Sequence, residues 1–401
     1  MKSALRHLAP ALMSALLGFA DSGLAAVSIQ RVPEGGLQPR VALGRDGVVH
    51  LVYHLGDVRA GDLYYCRREP GRKSFSRPVR VNQQPGAAVA AGAIRGAQIA
   101  LERNDRVHIA WMGSQATAGP KPSPAPAAPK TGGHKHHHPL SPMLYTRMKA
   151  DGSGFEPERN LVTHAWGLDG GGTVTADAKG HVYVFWHAEP TLTPGNEAGR
   201  SVYLAVSRDD GATFARERDV VPDPAGACGC CGMKSFVDAR GHVHALYRTA
   251  TPRGERNMTL LSAPPGGGRF RALTVNRWPL SRCPMSSAAM IEQASRLWLG
   301  TECRGALKLY ELKTGHDTLE RGRELSLGEE AKHPAIAVNA RGEMLVAWLR
   351  GAGFNSGGRL CYQVLDPSKD ATGLPELVGP APRHSLVAAF VNAEGAFELL
   401  Y

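Results

Sequence analysis

The residues best equipped for chemistry are cysteines. Cys228-Gly-Cys230-Cys231 and, further along, Cys283-Pro284 place four thiols in two short stretches. Thiolates ligate soft and borderline ions such as Cu(I) and Zn(II), and in oxidising compartments they close in pairs as disulfides. Adjacent Cys230 and Cys231 rarely bond to each other, so each needs its own partner, and Cys303 is a further candidate. The chain carries seven cysteines, so at least one is free, intermolecular or metal-bound. Two readings stay open: disulfides stapling neighbouring elements, or a copper or zinc site with His or Met support. A second group is His134, His136, His137 and His138, close behind Gly132-Gly133. Neutral imidazoles there suit Zn(II) or Cu(II), and the alternative is a plain solvated loop.

The elements that would position these groups repeat along the chain. Segments 39–54, 97–112, 172–187, 234–248, 287–302, 334–349 and 385–401 each read as strand, tight turn and strand. Third strands are predicted at 63–66, 143–147, 202–206, 257–262, 307–311 and 360–364. The seventh unit stops after two strands, while 27–32 is a spare strand able to complete it and cover an exposed edge. The pattern predicts an all-β chain, a β-propeller of seven four-stranded blades. The last blade is short and closed by the N-terminal strand, and six blades is the alternative. Residues 113–142, rich in Pro, Ala and His, cannot bury a core and read as a mobile loop of blade two.

Composition narrows the setting. Of the 401 residues, the first 26 read as an export signal: Lys2 and Arg6, an apolar stretch over 8–20, then Gly23, Ala25 and Ala26. The apolar stretch is short for a membrane span and broken by Pro10, and no other segment approaches that length. A periplasmic or secreted protein without a transmembrane segment is expected. The 47 glycines and 28 prolines favour short strands and turns over helices. A formal charge of +11 suits anionic partners, an acidic glycan or an envelope surface, or simply confers solubility. Export and the lack of a basic-aromatic stripe argue against nucleic acid.

First and second strands of a blade are antiparallel, so the start of one and the end of the other share a rim. That rim gathers Gln38, His54, Met112, Asp169, His187, Arg248, Glu302, His333 and His384 together with Cys228, Cys230, Cys231 and Cys283. Neighbouring first strands should bring the four cysteines within a few to about ten ångströms of each other. Trp111, Trp186 and Trp348 read as buried anchors.

The octet 207–214 adds a family signal. Ser207, Asp209, Gly211, Thr213 and Phe214 match Ser-x-Asp-x-Gly-x-Thr-aromatic, where the carboxylate accepts turn amides, the glycine takes positive φ and the aromatic packs beneath. It resembles the Asp-box of the sialidase superfamily, and with the repeats the resemblance spans residues 27–401. The Cys228-Gly-Cys230-Cys231, Tyr247-Arg248 and Cys283-Pro284 stretches are similar to those of bacterial exported sialidase-like (BNR-repeat) proteins. For a working sialidase the resemblance implies an arginine triad, a Tyr–Glu nucleophile pair and an aspartic acid. Arg248 matches a triad position and Asp62 could stand in for the acid. Leu37-Gln38 occupies the place of the first arginine, and Gly232 that of the glutamate. The expected function is therefore non-catalytic ligand binding at a Cys/His-rich rim, with an anionic glycan or copper or zinc as ligand. Arg248, Glu302, His187 and His333 would line that rim. A divergent exo-α-sialidase is the alternative.

Overall fold

The computed structural model describes residues 25–401 except 103, 118–140, 190–196, 314–318, 326–329 and 367–374. The export stretch up to residue 24 and the histidines at 134–138 lie outside the described residues. Each repeat is a meander whose hairpin forms for local reasons. In blade three, Thr173–Ala176 runs into a turn where Gly180 takes φ +85° and the Asp177 amide donates to the His181 carbonyl at 3.0 Å. The returning strand Val182–Ala188 is apolar except for His187 and buried on both faces, as a sheet packed between two others requires.

Six such four-stranded sheets and one three-stranded sheet make seven blades. Their first strands are Leu37–Leu43, Gln98–Leu101, Thr173–Ala176, Lys234–Val237, Ala288–Gln293, Ala331–Val338 and Ala388–Val391. Each packs against the first strand of the next blade, and the last returns to the first, so they enclose a central channel. The six-blade alternative is thereby excluded. Closure is as the sequence predicts: Val27–Gln30 joins the last blade, pairing in parallel with Phe397–Leu400. A buried ion pair, Arg68 Nη2 to Glu398 Oε1 at 2.8 Å, locks blade one to blade seven across this seam.

Apolar side chains fill the spaces between sheets. Trp111, Trp186 and Trp348 are buried there, and the Trp111 and Trp186 indoles donate to the Ala87 and Ala165 carbonyls at 3.2 Å. On the rim opposite the second-strand ends, the 207–214 turn is held by its own side chains. Asp209 accepts the Thr213 amide at 2.8 Å and the Thr213 hydroxyl at 2.6 Å, and Ser207 Oγ accepts the Gly211 amide at 2.8 Å. Gly211 has φ +74°, and Phe214 meets Tyr145 of blade two edge-on, 4.7 Å between centroids. Among the described residues no helix is long and apolar enough to cross a membrane.

Candidate sulfur centre at the channel mouth

The four cysteines converge. Cys228 and Cys231 stand at the two ends of a tight turn in which the Cys231 amide donates to the Cys228 carbonyl at 3.3 Å. The turn is pinned from three sides. The Cys228 amide donates to the Arg248 carbonyl at 2.9 Å, the Gly232 amide to Ser286 of blade five at 3.0 Å, and the Gly229 amide to Glu197 at 2.8 Å. Cys283 arrives from the segment leading into blade five, where Met285 adopts φ +48° and its amide points at Cys283 Sγ at 3.3 Å. Cys230 and Cys283 form a disulfide between blades four and five. Cys228 Sγ lies 3.2 Å from Cys231 Sγ and 3.4 Å from Cys283 Sγ, and Cys231 lies 3.8 Å from Cys283. Cys228 and Cys231 are buried, whereas Cys230 and Cys283 are half-buried and form the exposed side.

Electrostatics divide the two free thiols. Burial works against a Cys231 thiolate, but the Cys228 thiol donating to it, the Arg248 guanidinium and the Ser286 backbone outweigh that and hold it below the ordinary thiol value. Cys228 is pushed the other way, first by that same hydrogen bond and then by burial. Cys231 is thus the more readily ionised of the two thiols. Beside them Glu302 is pushed up by burial, against the opposing pull of Arg248 and Lys332, and its Oε2 has no hydrogen-bond partner.

The remaining predicted residues occupy varied settings. Arg248 is only 2% exposed. It donates to the Arg256 carbonyl at 3.0 Å and the Glu302 carbonyl at 2.9 Å, with its guanidinium over Trp278. His187 is buried and accepts the Gly170 amide at 3.1 Å; burial, then Arg200, push it down to about 3. His333 is buried against Ser287 at 3.2 Å. Asp62 accepts the Asn82 side-chain amide at 2.7 Å and the Gly86 amide at 2.8 Å. Cys303 is buried apart from the cluster, its sulfur facing the Arg277 carbonyl at 3.8 Å. Clefts of about 730 and 820 Å³ occur on the outer surface, and neither is lined by the cluster.

One segment at the mouth escapes sequence reading. Residues 86–97, ahead of blade two, cross the channel mouth as a plug and are buried from Ala90 to Ala97. Gln38 of blade one donates to the Ala90 carbonyl, and His384 of blade seven accepts the Gly92 amide at 3.1 Å. On the far side Arg95 donates to the Asp169 carbonyl at 2.6 Å and to its Oδ1 at 2.9 Å, and the Gly171 amide meets the Ile94 carbonyl at 3.0 Å. The Ala/Gly composition was the available signal: only small residues let a backbone lie flat across so crowded an opening. Non-glycine residues at positive φ gather here too, Gln38, Ala93, Met285, His333 and His384, as they do where function holds a backbone out of its preferred basins.

No protein-family model and no curated protein matches the chain. Solved structures do. The NanB sialidase from Streptococcus pneumoniae superposes with TM-score 0.52 at 9% identity, over 82% of this chain and 68% of that one. Hadza microbial sialidase Hz136 gives 0.51 at 12%, over 83% and 66%. The α-L-arabinanase of Penicillium chrysogenum gives 0.50 at 12%, over 86% and 99%. The fold is that of a sialidase-like β-propeller. At such identities the likeness reaches the fold and leaves the chemistry to this chain's own residues.

Proposed function

We propose that this protein is a non-catalytic propeller that holds a thiophilic transition ion, Cu(I) or Zn(II), at Cys228, Cys230, Cys231 and Cys283. The observation that carries this reading is the meeting of four sulfur atoms from two blades, with Cys228 Sγ 3.2 Å from Cys231 and 3.4 Å from Cys283. Sulfur donors so close together match thiolate chemistry and suit neither Mg(II) nor Ca(II). Arg248 offsets the negative charge that thiolates bring. With the Cys230–Cys283 bond closed, Cys228 and Cys231 supply two thiols; reduction would supply four. Capture would therefore deepen as the cluster is reduced. Export by residues 1–26 into the periplasm or medium belongs to the same reading, since that is where such a disulfide persists.

The test is metal analysis of the mature chain lacking residues 132–138, so that the histidines add nothing. After anaerobic reduction, loading with Cu(I) or Zn(II) and desalting, about one ion should be retained per chain. The double variant Cys228→Ser/Cys231→Ser in the same background should retain none. Equal metal in both proteins would overturn the assignment. The hydrolase alternative requires Arg248 to leave two backbone carbonyls and Asp62 to leave two amides before either could meet a sugar. Turnover of a fluorogenic sialoside, abolished by Arg248→Met, would restore it.

A further inference from the structure

The channel behind the plug carries two cations with no ion-pair partner among the described residues. Counted from the hairpin turns, Arg40 and Lys234 occupy the same level of blades one and four, Arg40 opposite Val52 and Lys234 opposite Leu246. The other five positions at that level are Gln98, Thr173, Ala289, Ala335 and Ala388, none of them acidic. Both cations are half-buried, and Arg40 Nε is fully enclosed with no hydrogen-bond partner. Among the described residues no carboxylate forms an ion pair with either.

Arg40 bears on Lys234 electrostatically. Burial and then Arg40 push the Lys234 amine down to about 8, and burial pushes Arg40 itself down to about 10. Arg40 also reaches His333 of blade six, which burial, Lys332 and Arg40 together push down to about 3. The first strands enclose the channel, so Arg40 and Lys234 stand at one level of its wall, on blades one and four. Two half-buried cations at one level of the channel, with no ion-pair partner among the described residues, are held at a cost that an anion would relieve.

We propose that the central channel binds a small inorganic oxyanion, phosphate or sulfate, between Arg40 and Lys234. The guanidinium presents a planar fork of donors suited to such an oxyanion, and the ammonium supplies a point charge opposite it. Size follows from the plug: residues 86–97 lie across the mouth, which keeps bulky sugars from reaching this level. The site is independent of the sulfur centre and stands or falls separately from it.

The experiment is titration calorimetry with sodium phosphate at constant ionic strength, using the full mature chain, with thermal melting alongside. Wild type should bind phosphate saturably and gain Tm with it. Arg40→Met and Lys234→Met should bind roughly 10- to 100-fold more weakly, the scale of a lost charge-assisted hydrogen bond. In chloride alone Lys234→Met should melt no lower than wild type, because it removes a repulsion, and this also shows that the variant folds. A glucuronate arm separates the sources of oxyanion. Binding of glucuronate in preference to phosphate would overturn the small-ion assignment in favour of a sugar acid. Phosphate binding that is absent from wild type, or unchanged in both variants, would overturn the site itself.

Discussion

Arg95→Met is the perturbation that asks most of the plug. Arg95 makes three hydrogen bonds, to the Asp169 carbonyl at 2.6 Å, the Ala91 carbonyl at 2.7 Å and Asp169 Oδ1 at 2.9 Å, with both side chains of the ion pair about nine-tenths buried. Removing one partner of a buried pair leaves the other charge uncompensated, at about 3–5 kcal/mol. At roughly 2.1 cal/mol/K per residue, a chain of 401 residues has a melting entropy near 0.8 kcal/mol/K, so Tm should fall by about 4–6 °C. The pH dependence has a definite sign. Asp169 experiences burial, which raises its pKa, but Arg95 outweighs this and holds it below the ordinary carboxylate value. In wild type the pair therefore stabilises above the unfolded value near 4 and is lost as pH falls through the lower folded value. In Arg95→Met burial remains and Asp169 moves up, so the deficit against wild type should narrow as acid protonates it. Hydrogen exchange gives a local readout: the Gly171 amide, bonded to Ile94, should exchange faster while amides of the outer strands do not. A Tm change below about 1 °C, or a deficit that stays constant from pH 7 to pH 4, would refute the plug as an electrostatically clamped element.

Three further outcomes follow from the same geometry. Glu398→Gln removes the charge from the seam and leaves Arg68 buried, so the ring should lose about 3 kcal/mol; an unchanged urea midpoint would count against the seam as a closure point. Thiol titration should find five reactive cysteines after denaturation and seven after reduction, with almost none in the native protein because the five free thiols are buried; seven without reductant would mean that Cys230 and Cys283 rest reduced. Asp209→Ala removes the acceptor of two Thr213 hydrogen bonds on an exposed turn, so it should cost about 1 kcal/mol or less and leave metal content untouched; loss of metal there would sever the link between the sulfur cluster and the mouth.

The architecture was legible because it repeats. Seven strand–turn–strand units, a spare strand at 27–32 and turn glycines such as Gly180 and Gly211 are local signals, and a blade is decided mainly by local pairing. The meeting of Cys228, Cys231 and Cys283 was also within reach, since antiparallel pairing alone sends first-strand starts to one rim. Other features depend on neighbours far away in the chain and could not be read there. Arg248 lies at the expected rim, yet its guanidinium is taken by carbonyls from its own blade and the next, a matter of packing and not of sequence position. Residues 86–97 look like an ordinary loop until Gln38, Asp169 and His384, from three different blades, supply partners for them. Arg40 and Lys234 are unremarkable basic residues until the ring sets them at one level. Sequence by itself determined the blades and the rim, because period and turn chemistry act over a few residues. Closing the ring decided which charges stand at one level and which are buried, because only then do residues nearly two hundred positions apart share one dielectric.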